Sequence, residues 1–344
     1  MSAVLELHEA AGAFETLERY LDRELHEGLV ADVYLGYGLS GALRRDPSPA
    51  PPEPCRLPLL AARIRACNEP HAEVQAPFRV GEWQPTWSPV AYAAAVDEVR
   101  AAIARGDVYQ VNLVQHLSAE FDGEPAGLAA ALAVLRPRHP QPLAGDGWAI
   151  VSASPELFLS RRGRTIRTMP IKGTRPLGED VDDPKDAAEH LMIVDLERND
   201  LSRVCAPGSI RWPELMAQRE LAGVTHLVST VEGRLLEGAG LAQILAATFP
   251  GGSITGAPKV AALDHIARLE PVGRGASMGA LGTIQPNGDF DLALTIRTFA
   301  VADGRIHLWV GGGVVWDSDP KDEVEESWVK ARPLLAAVRP VVAA

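Results

Sequence analysis

Hydrophobic positions along the chain fall into short alternating runs, separated by stretches in which apolar residues return every three or four positions. WSPVAYAAAVDEVRAAIARGD, residues 87–107, predicts a helix: Ser88 suits the cap, Pro89 the first turn and Gly106 the end. PKDAAEHLMIVDLERNDLSRVC, residues 184–205, predicts a long helix with an apolar stripe, LAQILAATF a shorter one, and a last helix begins after Asp319 and Pro320. Residues 124–146 read as a helix followed by a proline-containing loop, and the first stretch, to about Gly28, as an amphipathic, helix-like opening. Strand patterns occupy VADVYLGYGLSGAL, YQVNLVQHLSAEF, WAIVSAS, LFLSRR, RRGRTIRTMPI, VSTVEGRL, LALTIRTFAV and IHLWVGGGVV. Strands in runs, broken by helices without regular alternation, predict an α+β fold with antiparallel sheet. No internal repeat is visible, and the proline-rich DPSPAPPEP, residues 46–54, marks a surface connection.

Composition narrows the function classes more than the fold. Of 344 residues, 47% are hydrophobic and 23% charged, an ordinary globular balance, and 45 acidic against 33 basic residues leave a net charge of -12. Nothing there suits a nucleic acid or an anionic membrane surface, so an anionic substrate would require locally positive groups or a metal. Three cysteines, Cys55, Cys67 and Cys205, lie in no metal-ligand spacing and fit a reducing cytoplasm. The acidic start reads against an export signal, and no apolar run approaches the roughly 20 residues that span a bilayer.

Six features carry chemistry. In TMPIKGTRPLG an apolar run breaks into glycine and proline just after Lys172, which places this lysine near a strand end, either solvated or as a desolvated nucleophilic amine. In FPGGSITGAPKVAALDHIARL a glycine-rich loop runs into a helix, either a plain turn and cap or, with Ser253 and Thr255, a cradle for a carboxylate or phosphate. A nucleotide P-loop is discounted, because Ala257 and Pro258 separate Gly256 from Lys259. Glu323 and Glu326 lie one helical turn apart, as do Asp186 and Glu189. Each pair is a solvated helix face unless the two helices meet, in which case four carboxylates call for a divalent cation, and oxygen ligation suits magnesium. Arg297, in TIRTF, is expected in a strand and suits a bidentate grip on a carboxylate. Gly311, Gly312 and Gly313 mark a bulge or a close approach to a ligand, and Glu156, in SPELF, is a surface carboxylate or a proton donor with a raised pKa.

Taken in order, YQVNL, SPELF, PIKGTRP, EHLMIVDLERNDLSRVC, HLVSTVEG, FPGGSITGAPK, IRTF and GGGVVWDSDPKDEVEESWVKA resemble the chorismate-utilising enzymes. The resemblance runs from about Trp87 to the C-terminus. Within the family it points to the aminodeoxychorismate synthase branch, where the motif is PIKGT, whereas anthranilate synthases carry alanine at the position of Lys172. Gln110 stands where isochorismate and salicylate synthases place a water-activating lysine.

The resemblance implies two antiparallel sheets packed as a sandwich with helices on the outside. It also implies a shortened N-terminal section, residues 1–85, and a chorismate-binding catalytic domain, residues 86–344. By analogy Lys172 attacks ring carbon 2 of chorismate, the 4-hydroxyl leaves with a proton from Glu156, and ammonia then adds at carbon 4 and expels the lysine. Such an amine must be neutral, so its pKa is expected to lie roughly three units below the free value of about 10.4. Glu189 and Glu326 are expected to hold magnesium (Mg2+) directly, with Asp186 and Glu323 bound directly or through water. Arg297 and Lys330 are expected to grip a substrate carboxylate and help to depress Lys172, while Thr174, His226, Ser253, Thr255, Gly256, Gly312 and Gly313 match pocket positions.

Three departures stand out: Thr283 where relatives generally have tyrosine, so that a hydroxyl contact to substrate is missing; Trp316 for a small residue, its indole filling that space; and Val324 for an aromatic. No cysteine has a glutaminase context, so ammonia is expected from solution or from a separate glutamine amidotransferase subunit. The rivals are an anthranilate or aminodeoxyisochorismate synthase, and an inactive scaffold that binds an amidotransferase.

Overall fold

The computed structural model describes residues 4–69, 76–176, 184–221 and 224–339, with the side chains of 174–176, 184–186, 221 and 224 outside the description. Among the described residues there are two antiparallel sheets and seven α-helices: α1 Ala13–Glu24, α2 Pro89–Arg105, α3 Pro125–Leu132, α4 Pro184–Ser202, α5 Leu241–Thr248, α6 Lys259–Leu269 and α7 Pro320–Ala337. None is long and apolar enough to cross a membrane.

A ten-stranded sheet runs in the order Val4–Leu7, Leu60–Ala66, Leu29–Leu35, Ala280–Ile284, Phe290–Leu294, Leu157–Arg162, Thr165–Met169, Val224–Arg234 and Ile171–Pro176, with Arg211–Leu221 on the other side of Val224–Arg234. Residues 4–66 therefore supply three strands, and Leu29–Leu35 pairs with Ala280–Ile284 in the middle of the sheet, Tyr34 opposite Leu281. An eight-stranded sheet is built around Gln110–Gly123 and Arg305–Val314, which pair in register from Arg305 opposite Glu120 to Val314 opposite Val111.

One apolar core draws on both sheets: Val33, Leu35, Phe158, Leu281 and Leu292 from the larger, Val114, Ile150, Ala300 and Trp309 from the smaller. In RIHLWVGGGV alternation serves two interiors at once, because Ile306, Leu308 and Val310 join α3 and α7 on the opposite face. The two layers with helices outside are the expected sandwich, and each of the two helix-covered cores explains why its strands read as nearly continuous apolar runs.

Helix α2 starts and stops as its sequence dictates: Ser88 Oγ accepts the Ala91 N–H at 3.1 Å, Pro89 opens the first turn and Gly106 closes it at φ 82°. Elsewhere the pattern misleads. The opening is not helical throughout, since Val4–Leu7 pairs with Leu60–Ala66, and VADVYLGYGLSGAL is a strand only to Leu35, followed by a 3-10 turn over Tyr37–Leu43. LALTIRTFAV is not one strand but two in different sheets, Phe290–Leu294 and Thr298–Ala302, joined by a crossing in which Arg297 takes φ 50°.

The face of the larger sheet that carries Asp32 is a row of charge. Asp32, 1% exposed, accepts from Arg63 and Arg65 at 2.8–3.0 Å, and across Thr283 in register stands Asp291, paired with Arg138 at 3.1 Å. Asp32→Ala strands two guanidinium groups there and is expected to lower stability by about 3 kcal/mol. Chemical denaturation reads that loss.

Candidate active site

The site collects at the end of the sandwich where Ile171–Pro176, Gln110–Gly123, Arg305–Val314, α4, α7 and the loop before α6 meet. Lys172 precedes a bulge: it pairs with Leu227 and Thr174 with His226, while Gly173, at φ 58°, absorbs the extra residue. Its Nζ donates to Glu189 Oε1 at 2.9 Å with only 14% of the side chain exposed. Gln110 Nε2 donates to the same oxygen at 2.5 Å.

Burial draws the Lys172 pKa down, but Glu189, Glu156 and Glu326 together raise it above the ordinary lysine value. The expectation of a depressed, neutral amine is therefore corrected: the acidic neighbours, Glu189 foremost through its charge and hydrogen bond, hold Lys172 as an ammonium, and neither Arg297 nor Lys330 offsets them. Lys330 sits on the rim, donating to Glu326 Oε1 at 2.6 Å and Gly311 O at 2.9 Å.

Glu156, 5% exposed, accepts from Ser253 Oγ at 2.9 Å. Burial pushes its carboxyl up to about 7, against the opposing pull of Ser253, Lys172, the Ile171 N–H and Arg297. Arg297 stands not in a strand but at the left-handed crossing, where burial lowers its pKa and Glu156 opposes that shift. His226 Nδ1 lies 2.9 Å from Gly173 O, so this ring supports the bulge, and burial lowers its pKa. Gly256 is hydrogen-bonded into sheet against Val111.

Gly312 and Gly313 form a floor that side chains would obstruct. A Cβ at Gly312 would lie 3.1 Å from Glu326 Oε1 and 3.4 Å from Glu323 Oε2, and one at Gly313 would lie 2.7 Å from Glu189 Oε1. Carboxylates from α4 and α7 thus reach the same pair of glycines. Among the described residues no three His, Cys, Asp or Glu side chains converge as a closed metal site. The Gln110 amide and the Lys330 ammonium also reach this floor, and the two carboxylate arms beside them offer the oxygen donors that suit magnesium, which takes few protein oxygens and leaves the remaining positions to water and substrate.

Lys172, Glu156, Glu189, Ser253 and Arg297 come together, with Glu326, Glu323, Lys330 and the two glycines beside them. Thr174 and Asp186 lie outside the described side chains. Thr255, fully buried, gives its hydroxyl to Gly251 O at 3.0 Å and Gly252 O at 3.3 Å, so it fixes its own loop. Thr283 faces the charged row rather than the site, because both of its register neighbours are aspartates held by arginines. Trp316 does not fill a pocket: it is 55% exposed, with Arg100 6.0 Å from its ring centre. Val324 packs on the α2 cluster near Trp87 and Tyr92.

Sequence reasoning missed Glu197, Asp200, Lys259 and Arg274, four charged residues at most 8% exposed around the glycine-rich loop. A signal existed in α4, where Glu189, Glu197 and Asp200 recur at eight and three residues, a helical spacing for a shared side.

Residues 30–336 match the family model described as chorismate binding enzyme. The chain belongs to that family. Anthranilate synthase component 1 of Streptomyces coelicolor is 38% identical over 338 residues, 94% of this chain and 62% of the relative. Aminodeoxychorismate synthase component 1 of Salmonella typhimurium is 39% identical over 295 residues, 80% of this chain and 63% of the relative. This chorismate enzyme thus spans a little under two thirds of the length of either. The crystal structure of anthranilate synthase component I from Streptococcus pneumoniae superposes with a TM-score of 0.83 at 25% identity, covering 96% of this chain and 89% of that one.

Proposed function

We propose that the chain converts chorismate and ammonia to 4-amino-4-deoxychorismate through a covalent adduct on Lys172. The observation that carries this reading is an amine shielded from solvent beside Glu156, a carboxyl that burial keeps protonated to about pH 7. Lys172 adds to ring carbon 2, the ring double bonds shift, and the carbon 4–oxygen bond breaks as Glu156 delivers a proton, so that water departs rather than hydroxide. Ammonia then forms the bond to carbon 4, the double bonds shift back, and the carbon 2–nitrogen bond breaks to return Lys172. Arg297, a fork buried at the crossing, suits a substrate carboxylate.

Glu189 and Glu326 would hold magnesium, with Glu323 beside them. When bound, magnesium supplies charge for the ring carboxylate and neutralises two of the carboxylates that keep Lys172 protonated. Lys172 needs that relief, since only the neutral amine is a nucleophile.

Chorismate incubated with the chain, magnesium and ammonium, with the products separated chromatographically, tests the reading. The expected product is 4-amino-4-deoxychorismate. Glutamine in place of ammonium is expected to give none unless a glutamine amidotransferase subunit is added. Burial supports that expectation by raising the thiols of Cys55 to about 12 and Cys205 to about 11, which leaves neither as a ready nucleophile. A second reading, anthranilate synthesis, is favoured by the 94% of this chain that aligns with the Streptomyces coelicolor relative. Anthranilate and pyruvate in the same chromatogram would establish it instead.

A further inference from the structure

The loop that carries Ser253 is gripped by buried charges at alternating backbone groups. Lys259 Nζ donates to Pro250 O at 2.6 Å, Glu197 Oε1 accepts the Gly252 N–H at 2.9 Å, and an Arg274 Nη donates to Ile254 O at 2.9 Å. These side chains are 8%, 4% and 1% exposed. Lys259 is compensated by Asp200, and Arg274 by a two-pronged contact with Glu270 at 2.9 and 2.7 Å. Glu197 makes no ion pair among the described residues, and its hydrogen bond is to the loop. Helix α4 also lies flush on the loop, since a Cβ at Gly252 would meet Leu196 Cδ2 at 2.7 Å and Glu197 Oε1 at 3.1 Å. Burial and Asp200 push the Glu197 carboxyl up to about 7 against the pull of Lys259 and the Gly252 N–H, so its place costs stability and needs another purpose.

We propose that Glu197 is a positioning residue for the proton donor: by holding the Gly252 N–H it fixes the next residue, Ser253, so that the serine hydroxyl stays on Glu156. Glu197 touches no reacting atom and acts through that hydroxyl alone. Its importance for turnover rests on the reading of Glu156 as general acid; the contact itself does not. Around Glu156 stand Ser253, the Ile171 N–H, Lys172 and Arg297, and around Glu197 stand the Gly252 N–H, Asp200, Lys259 and Glu156. Losing the Ser253 hydrogen raises the Glu156 midpoint, whereas losing the more distant Glu197 charge acts weakly the other way.

The test uses the full chain without substrate. Glu197→Leu keeps the volume but removes the acceptor, Glu197→Gln keeps an acceptor oxygen, and Ser253→Ala removes the hydroxyl. Hydrogen exchange of the 251–255 amides is expected to quicken about tenfold or more in Glu197→Leu and to stay near wild type in Glu197→Gln. The Glu156 midpoint, followed by carboxyl 13C shifts assigned with Glu156→Gln, is expected to rise by about half a pH unit or more in Glu197→Leu and Ser253→Ala. In chorismate amination Glu197→Leu is expected to lose about tenfold in kcat, with KM within about threefold and Glu197→Gln rescuing the rate. Wild-type exchange and an unmoved midpoint in Glu197→Leu overturn the proposal. So does an unmoved midpoint in Ser253→Ala, which decides the matter if the leucine variant does not fold. A wild-type chain that aminates nothing overturns the proposed reaction instead, and the exchange and titration results stand apart from it.

Discussion

Lys172→Ala is expected to reduce 4-amino-4-deoxychorismate formation by roughly 10^3-fold or more, because in the proposed reaction this amine divides one difficult displacement into two easier ones. Intact-mass measurement on wild-type chain treated with chorismate and magnesium, ammonia withheld, should show an adduct that the variant lacks. The replacement also removes the cation that pairs with Glu189 and lies beside Glu156, and without it the Glu156 carboxyl becomes harder to ionise. Small amounts of anthranilate are the expected residual product, since a methyl group in place of the amine leaves ammonia room to reach carbon 2. An adduct in the alanine variant, or unchanged amination without Lys172, would remove the covalent mechanism.

Glu156→Gln tests the proton donor, with an expected loss of about 10^2- to 10^4-fold in kcat. The pH dependence has a definite sign. A general acid works protonated, so wild-type turnover should fall as pH rises through about 7, the value to which burial pushes this carboxyl, and the glutamine variant should lack that limb. Stability follows the same group. Between its ordinary 4.5 and about 7 the folded chain keeps a proton that the unfolded chain releases, so folding weakens across that window as pH rises. The amount is about 3 kcal/mol at most, and the glutamine variant should regain it above pH 7. A variant that is slow but no more stable than wild type at pH 8 would mean that burial does not raise the Glu156 pKa in the folded chain.

What could be read from the chain was what local chemistry decides. Ser88, Pro89 and Gly106 bound α2 as written, and the glycine run and the carboxylates of the last helix meet at one place because period and spacing alone set their faces. Arg297 was misplaced because TIRTF alternates like a strand, while the two layers require the chain to change sheets there. Arg211–Leu221 went unseen because Pro213 and two register shifts break its alternation. The protonation of Lys172 depends on carboxylates 16, 17 and 154 positions away in sequence, and the loop's buried charges on side chains from two helices and the turn after them. No window of sequence contains such sums.

The three-residue crossing at 295–297 carries a mechanical implication. Its arginine hangs between the layers by one end in each, so its reach toward Glu156 is a measure of how the two sheets are stacked. A change of side-chain volume at Leu292, Ala300 or Trp309, in the core that joins the two layers, is expected to shift how the sheets stack and so where Arg297 sits. On the proposed role of Arg297, substrate preference would then be open to drift from the interior outward, with every pocket residue left unaltered.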